Sequence, residues 1–165
     1  MIGRARPAIA DLARAFRAVA ASPHALADLQ WLCWALLWRV SLRPAKRTLA
    51  LPRLVRLVGR SAGALRGTGP GSARTALVRD WFDRRSPLLP GNCLERSLIV
   101  HGTWASARLP SELHVGFRRA GRQTQGHTWV VAEGAVLLET RDEIARFESA
   151  CVFDDCGLRV TSPAA

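Results

Sequence analysis

Residues 127–141 read HTWVVAEGAVLLETR, and how this segment folds back on itself decides the architecture. Apolar runs flank a central Glu-Gly, the pattern of two short strands joined by a glycine-containing turn. Glu-Gly suits a two-residue type I′ turn poorly, because that turn favours Asn or Asp first. The expectation is a three-residue loop, Ala132-Glu133-Gly134, with Gly134 in the left-handed position as a bulge. That register opposes Val131 to Ala135, Trp129 to Leu137 and His127 to Glu139. Directly opposed residues share a face, with β-carbons about 5 Å apart. Glu139 is therefore placed to hold His127, while Asp142 has the opposite parity. A plain two-residue loop would set Thr140, not Glu139, against His127.

Working outward, SELHVGFRR (111–119) alternates Leu113, Val115 and Phe117 with polar or small residues, and reads as a strand. AGRQTQG (120–126) reads as the loop that leads to His127. A helix from Cys93 to about Trp104 precedes both. One helix followed by an antiparallel meander makes the second half an α+β unit.

The start of that helix carries the chemistry. In LLPGNCLERSL (88–98), Asn92 is the N-cap, Cys93 is N1 and Glu95 is N3, so Asn92 and Glu95 form a variant of the capping box. A thiol at N1 lies beside unpaired backbone N–H groups and the positive end of the helix dipole, and both favour the thiolate. The bland alternative is a buried structural cysteine, since free cysteines are often buried. His127 weakens it: a thiol nucleophile needs an imidazole to take its proton and a third group to orient the ring. Taken alone, His127 reads equally as an ordinary strand histidine. His101 lies two turns along from Cys93 and within reach of the same cleft, His114 faces away from its strand's apolar side, and His24 sits in the basic half. Cys151-x4-Cys156 with a distant histidine is a poor zinc pattern, wider than the usual knuckle and acidic between its ends.

The first half reads as helices. Ile9, Leu12, Ala13, Phe16, Val19 and Ala20 recur at helical spacing. Ser22-Pro23 looks like a cap and first helical residue for a helix that Pro44 should end. Trp31, Trp34 and Trp38 fall on one face of it. They read as a buried seam or, alternatively, as a docking face for a partner or a membrane surface with Arg39 and Arg43 at its rim. PRLVRLVGR (52–60) is a shorter helix. SAGALRGTGPGSA (61–73) is glycine-rich and reads as a linker, and Ser72 caps a further helix ending at Ser86-Pro87. The resulting division is a basic helical region over 1–60, a linker over 61–73 and a core over 74–165.

Charge is uneven. Residues 1–86 hold 16 Lys and Arg against 4 Asp and Glu, whereas residues 87–165 hold 8 against 9. The asymmetry points to an anionic partner for the first half. Lys46 is the one lysine, so arginine-rich coding bias accounts for part of the signal. With 48% hydrophobic residues the chain can bury a core. Four scattered cysteines and a charged N-terminus favour a reducing cytoplasm over secretion.

LPGNCLERSLIVHGTW, LHVGFRRAG and GHTWVVAEGAVLLE, in that order, resemble the core of the lasso-peptide leader peptidases, transglutaminase-like thiol proteases of bacterial ribosomal-peptide maturation. The resemblance covers roughly residues 76–140. It implies a transglutaminase/papain-like core in which a nucleophile helix packs on a small antiparallel sheet. It further implies catalysis by Cys93 as nucleophile, His127 as base and Glu139 as the orienting acid, where Asp is frequent in the family. The Cys93 backbone N–H would donate to the oxyanion and Asn92 would shape the site, with no metal or cofactor. The implied substrate is the leader of a lasso-peptide precursor, and an ATP-dependent cyclase acts afterwards. Residues 1–86 show no β-rich leader-binding module, so a separate leader-recognition protein is expected, with the arginine-rich helices either as its dock or as a charged surface that steers acidic leader segments. The rival expectation is a basic protein that binds nucleic acid or a membrane surface on a non-catalytic scaffold. It is disfavoured for nucleic acid because no helix-turn-helix spacing is present, while peripheral membrane contact is compatible with catalysis.

Overall fold

The computed structural model of the chain describes residues 24–65 and 92–160, with Arg17. The expected helices over 9–20 and after Ser72, and most of the expected linker, lie outside the described residues. Two helices come first, α1 (Ala25–Thr48) and α2 (Leu51–Gly63). The central helix α3 (Cys93–Ser106) follows, then β1 (Glu112–Ala120), β2 (Gln123–Ala132) and β3 (Ala135–Leu137). A single turn, α4 (Arg141–Ile144), leads to β4 (Glu148–Phe153) and β5 (Arg159–Val160). The strands form one antiparallel sheet in the order β3-β2-β1-β4-β5, so the architecture is α+β, as expected.

α3 is apolar on nearly every side, with Leu98, Ile99, Val100 and Trp104 buried, because it is covered from two directions. α1 and α2 pack on one flank and β1 and β2 on the other. One continuous core runs from Trp31 and Leu42 in α1, through Val55 and Val58 in α2, to Leu113, Val130 and Phe153 in the sheet. The tryptophan stripe of α1 is a buried seam. Trp31 and Trp34 are buried and Trp38 packs against the core. Each indole N–H finds an oxygen: Trp31 donates to Thr103 Oγ1 at 3.1 Å, and Trp34 and Trp38 both donate to Ser61 Oγ at 2.9 and 2.8 Å.

Several expectations are corrected here. Pro44 does not end α1, which continues to Thr48. Proline removes one helix hydrogen bond, to the carbonyl of Val40, but both residues are on the exposed face, where water can serve that carbonyl. The last turn is then held by Leu49 N–H donating to Ala45 O at 2.8 Å and by Lys46 reaching α3. α1 begins at Ala25 with His24 at its cap position, while Ser22 and Pro23 lie outside the described residues. Ser61, Ala62 and Gly63, assigned to the linker, are helical, because Ala62 is in the core and Ser61 binds the two indoles. Arg39 is no rim residue. It is 1% exposed and donates to Glu95 Oε2 at 2.7 Å. Glu95 also takes Lys46 and so is not the reciprocal arm of a capping box. The expected loop over 120–126 shrinks to a tight turn at Gly121, with β2 already begun at Gln123.

Candidate active site

Cys93 opens α3. Asn92 caps the helix by accepting the Glu95 N–H at 2.9 Å. The cap fixes where the first turn starts, and hence where the sulfur sits. Asn92 thus shapes the site through the backbone, with its Oδ1 occupied. A second tether lies one turn further on, where Ser97 Oγ donates to Thr128 O at 2.8 Å and holds the helix start against β2. Cys93 and the residues next to His127 are therefore brought together by two polar side chains that bind main-chain groups.

Cys93 is hydrogen-bonded to His127. Burial pushes the thiol up, yet His127 and both the hydroxyl and the backbone N–H of Thr128 favour the thiolate and bring it down to about 7. Among the described residues that buried hydroxyl has no hydrogen-bond partner. The His127 imidazolium is held up to about 9, first by its bond to Cys93, then by Glu139, against the opposing effect of burial. At pH 7 the thiol is thus about half ionised, and between about 7 and 9 the pair is mainly a thiolate beside an imidazolium. His127 Nε2 lies 2.8 Å from Glu139 Oε2, leaving Nδ1 for the sulfur. The ring is flanked by Phe147, at 4.8 Å between centroids, and Trp129, at 6.2 Å. Gly116 stands opposite His127 in the ladder, and a Cβ there would come within 2.8 Å of the Trp129 ring.

Glu139 reaches His127 by a different route from the one expected. The turn has two residues, with Glu133 at φ 52 and Gly134 at φ 74, and the register pairs Val130 with Leu137 and Ala132 with Ala135. Continued regularly, that ladder would have set Glu139 opposite Thr128 and Thr140 opposite His127. It stops at Leu137, and Leu138 turns left-handed at φ 68. A left-handed leucine costs roughly 1–2 kcal/mol. It is offset by the packing of Leu137 and Leu138 on the core and by the pairing of Glu139, whose side chain is 3% exposed. Thr140 instead caps α4 with Glu143, in a full capping box. Asp142 is exposed on that turn.

The second Glu139 oxygen accepts from Arg96 Nη2. Arg96 is three residues after Cys93 on the same helix, so the helix that carries the sulfur also holds the acid that orients the imidazole. Sequence reasoning passed over Arg96, although its spacing from Cys93 was a usable signal. Trp129, two residues from His127 and on the same strand face, carried the same kind of signal. Thr128 and Phe147 gave none.

The other candidates lie elsewhere. His101 is fully buried away from the cleft, with Nδ1 2.9 Å from Ser111 Oγ, and burial lowers it to about 4. His114 stacks on Trp129 at 5.4 Å and meets Glu112. Cys151 is half-buried on β4. Exposed Cys156 sits beside Asp154 and Asp155, and the charge of Asp155 pushes its thiol up. A groove of about 400 Å³ runs from His127 between the β1–β2 hairpin and Phe147.

A linked thiolate, imidazolium and carboxylate, on a helix start packed against an antiparallel sheet, can attack an acyl carbon and return a proton to the leaving group. No curated protein and no solved structure matches the chain. The family model described as the transglutaminase-like superfamily matches residues 36–152, a stretch that runs from the middle of α1 to Val152 in β4. With the fold, the site and this match in agreement, the chain belongs to the transglutaminase-like superfamily.

Proposed function

We propose that the protein is a cysteine peptidase that removes the leader from a lasso-peptide precursor, acting with a separate leader-binding protein and ahead of an ATP-dependent cyclase. The observation that carries the peptidase reading is the continuous hydrogen-bonded chain from Cys93 through His127 to Glu139. Its narrower assignment to lasso precursors rests on the order and content of the three segments around Cys93, Val115 and His127.

In this reading the Cys93 thiolate attacks the scissile carbonyl, and the S–C bond forms as the carbonyl electrons move to oxygen. The Cys93 backbone N–H, free of an intrahelical partner at the helix start, donates to that oxyanion. His127 protonates the departing amine and then takes a proton from the water that releases the acyl group. Glu139 keeps the ring in place and Arg96 keeps Glu139 in place. No step requires a metal or cofactor. None of the described helices is long and apolar enough to cross a membrane.

The test is cleavage of the cognate precursor by the purified protein with its leader-binding partner. Cys93→Ala should abolish release of the leader, and full activity of that variant would end the proposal. Glu139→Ala should slow cleavage while Asp142→Ala should not.

A further inference from the structure

We propose that the substrate carries an acidic side chain within about two residues of the cut bond, and that Arg118 and Arg146 receive it in the groove beside His127. The inference rests on the cysteine-peptidase reading and specifies its substrate. His127 itself lines the groove, together with Gln125, Arg118, Arg146 and Phe147. A second hollow, of about 460 Å³, continues along the hairpin and shares Arg118 and Arg146 with the first. Arg118 stands opposite Gln125, two residues before His127 on β2, or about 7 Å along the strand, so a substrate lying in the groove beside His127 meets it within about two residues.

Arg118 is set up to bind rather than to brace the fold. Its Nε and Nη2 both donate to one neutral acceptor, Gln125 Oε1, at 2.9 and 2.7 Å. Its guanidinium lies over the Phe147 ring, 4.9 Å from the centroid. That stacking fixes the plane while leaving the remaining N–H donors for a ligand, the arrangement that suits a carboxylate. Among the described residues neither Arg118 nor Arg146 has a carboxylate within ion-pair distance. Two acids do border the hollows. Glu143, which accepts the Thr140 N–H at 3.0 Å, lines the first and Glu148 the second, against Arg118, Arg119 and Arg146 on the two linings together. The thiolate and imidazolium cancel one another. The unmatched charge next to the nucleophile is thus cationic, in a half of the chain that carries no net positive charge.

The experiment uses the full-length protein and two matched pairs of thiol-reactive peptides. Bromoacetyl-Ala-Asp-NH2 and its Asn counterpart probe one side of the cut. Acetyl-Asp-Ala-chloromethyl ketone and its Asn counterpart probe the other. Alkylation of Cys93, in which the sulfur displaces halide, is followed by peptide mass spectrometry. On one of the two sides the Asp reagent should react roughly tenfold faster than the Asn reagent, as expected for one charge-assisted contact at a partly exposed site. In R118Q/R146Q that ratio should fall to near one, and Arg122→Gln should keep it. An Asp/Asn ratio near one on both sides in the wild type, or a preference that survives R118Q/R146Q, overturns the inference. If instead Cys93 reacts with the Asn reagents no faster than a free thiol such as glutathione, the peptidase reading fails, and the inference with it.

Discussion

Replacing Glu139 with glutamine keeps a hydrogen-bond acceptor beside His127 but removes the charge. In the wild type the imidazolium is held at about 9 by Cys93 and Glu139. A hydrogen bond to a charged group contributes about 1.5–3 kcal/mol, and one pH unit corresponds to about 1.36 kcal/mol. Solvent screens little of this, because the side chains of His127 and Glu139 are 14% and 3% exposed. Losing the whole interaction would lower the midpoint by roughly one to two pH units, and the retained amide acceptor places Glu139→Gln near the smaller figure. His127 should then titrate near 8, and Cys93, less often facing an imidazolium, should rise above about 7. The pH window in which thiolate and imidazolium coexist narrows from both ends. The assay is an NMR titration of the His127 ring, paired with the pH dependence of Cys93 alkylation by iodoacetamide. Asp142→Asn is the control that should move neither curve. A wild-type His127 midpoint at the ordinary value of about 6.5, or one that Glu139→Gln leaves in place, would refute the reasoning.

Other outcomes follow from the packing. Arg39→Met leaves Glu95 buried and paired with the half-exposed Lys46 and should cost about 3 kcal/mol in urea denaturation. Gly116→Ala forces a methyl against the Trp129 ring. It should destabilise by roughly 1–3 kcal/mol and slow Cys93 alkylation by displacing the ring beside His127. His101 is lowered to about 4 in the fold, so below pH about 6.5 the unfolded chain takes its proton first. Its stability penalty grows as pH falls from about 6.5 to about 4 and levels off below, reaching at most roughly 3 kcal/mol. A His101→Asn variant should lack this part of the acid slope when unfolding is compared at pH 7, 5 and 4.

The hairpin shows what a sequence can and cannot disclose. The contact between His127 and Glu139 was legible, yet the three-residue loop expected to make it does not exist. A two-residue turn shifts the register by one, and left-handed Leu138 brings Glu139 back. Turn preferences are statements about isolated segments. They gave no warning that the tight turn would hold Glu133, and core packing Leu138, at positive φ. The same limit hid the Arg39–Glu95 pair, since charge patterning assigns arginines on an amphipathic helix to its wet side, and only the arrival of α3 makes burial tolerable. Cys93 at a helix start was readable because a cap is local: Asn92 performs it within three residues. Pro44 was misread for the opposite reason, because the helix beyond it is held by Lys46 reaching Glu95, 49 residues further along the chain.

Glu95 and Arg96 are neighbours in sequence that pull in opposite directions. Glu95 is fastened to α1 through Arg39 and Lys46, and Arg96 to the acid of the sheet. The helix bearing the sulfur is thus suspended between two charged clamps, one on each flank. A minimal catalytic fragment cut at the glycine-rich stretch would free one clamp. Glu95 would then be an uncompensated anion, and Leu98 and Ile99 would lose the helices that cover them. Removing residues 1–60 therefore serves poorly as a probe of partner docking, because it would loosen Cys93 as well as the surface. Substitutions on the outward face of α1, at Leu37, Val40 or Arg43, leave the clamp intact and separate the two effects.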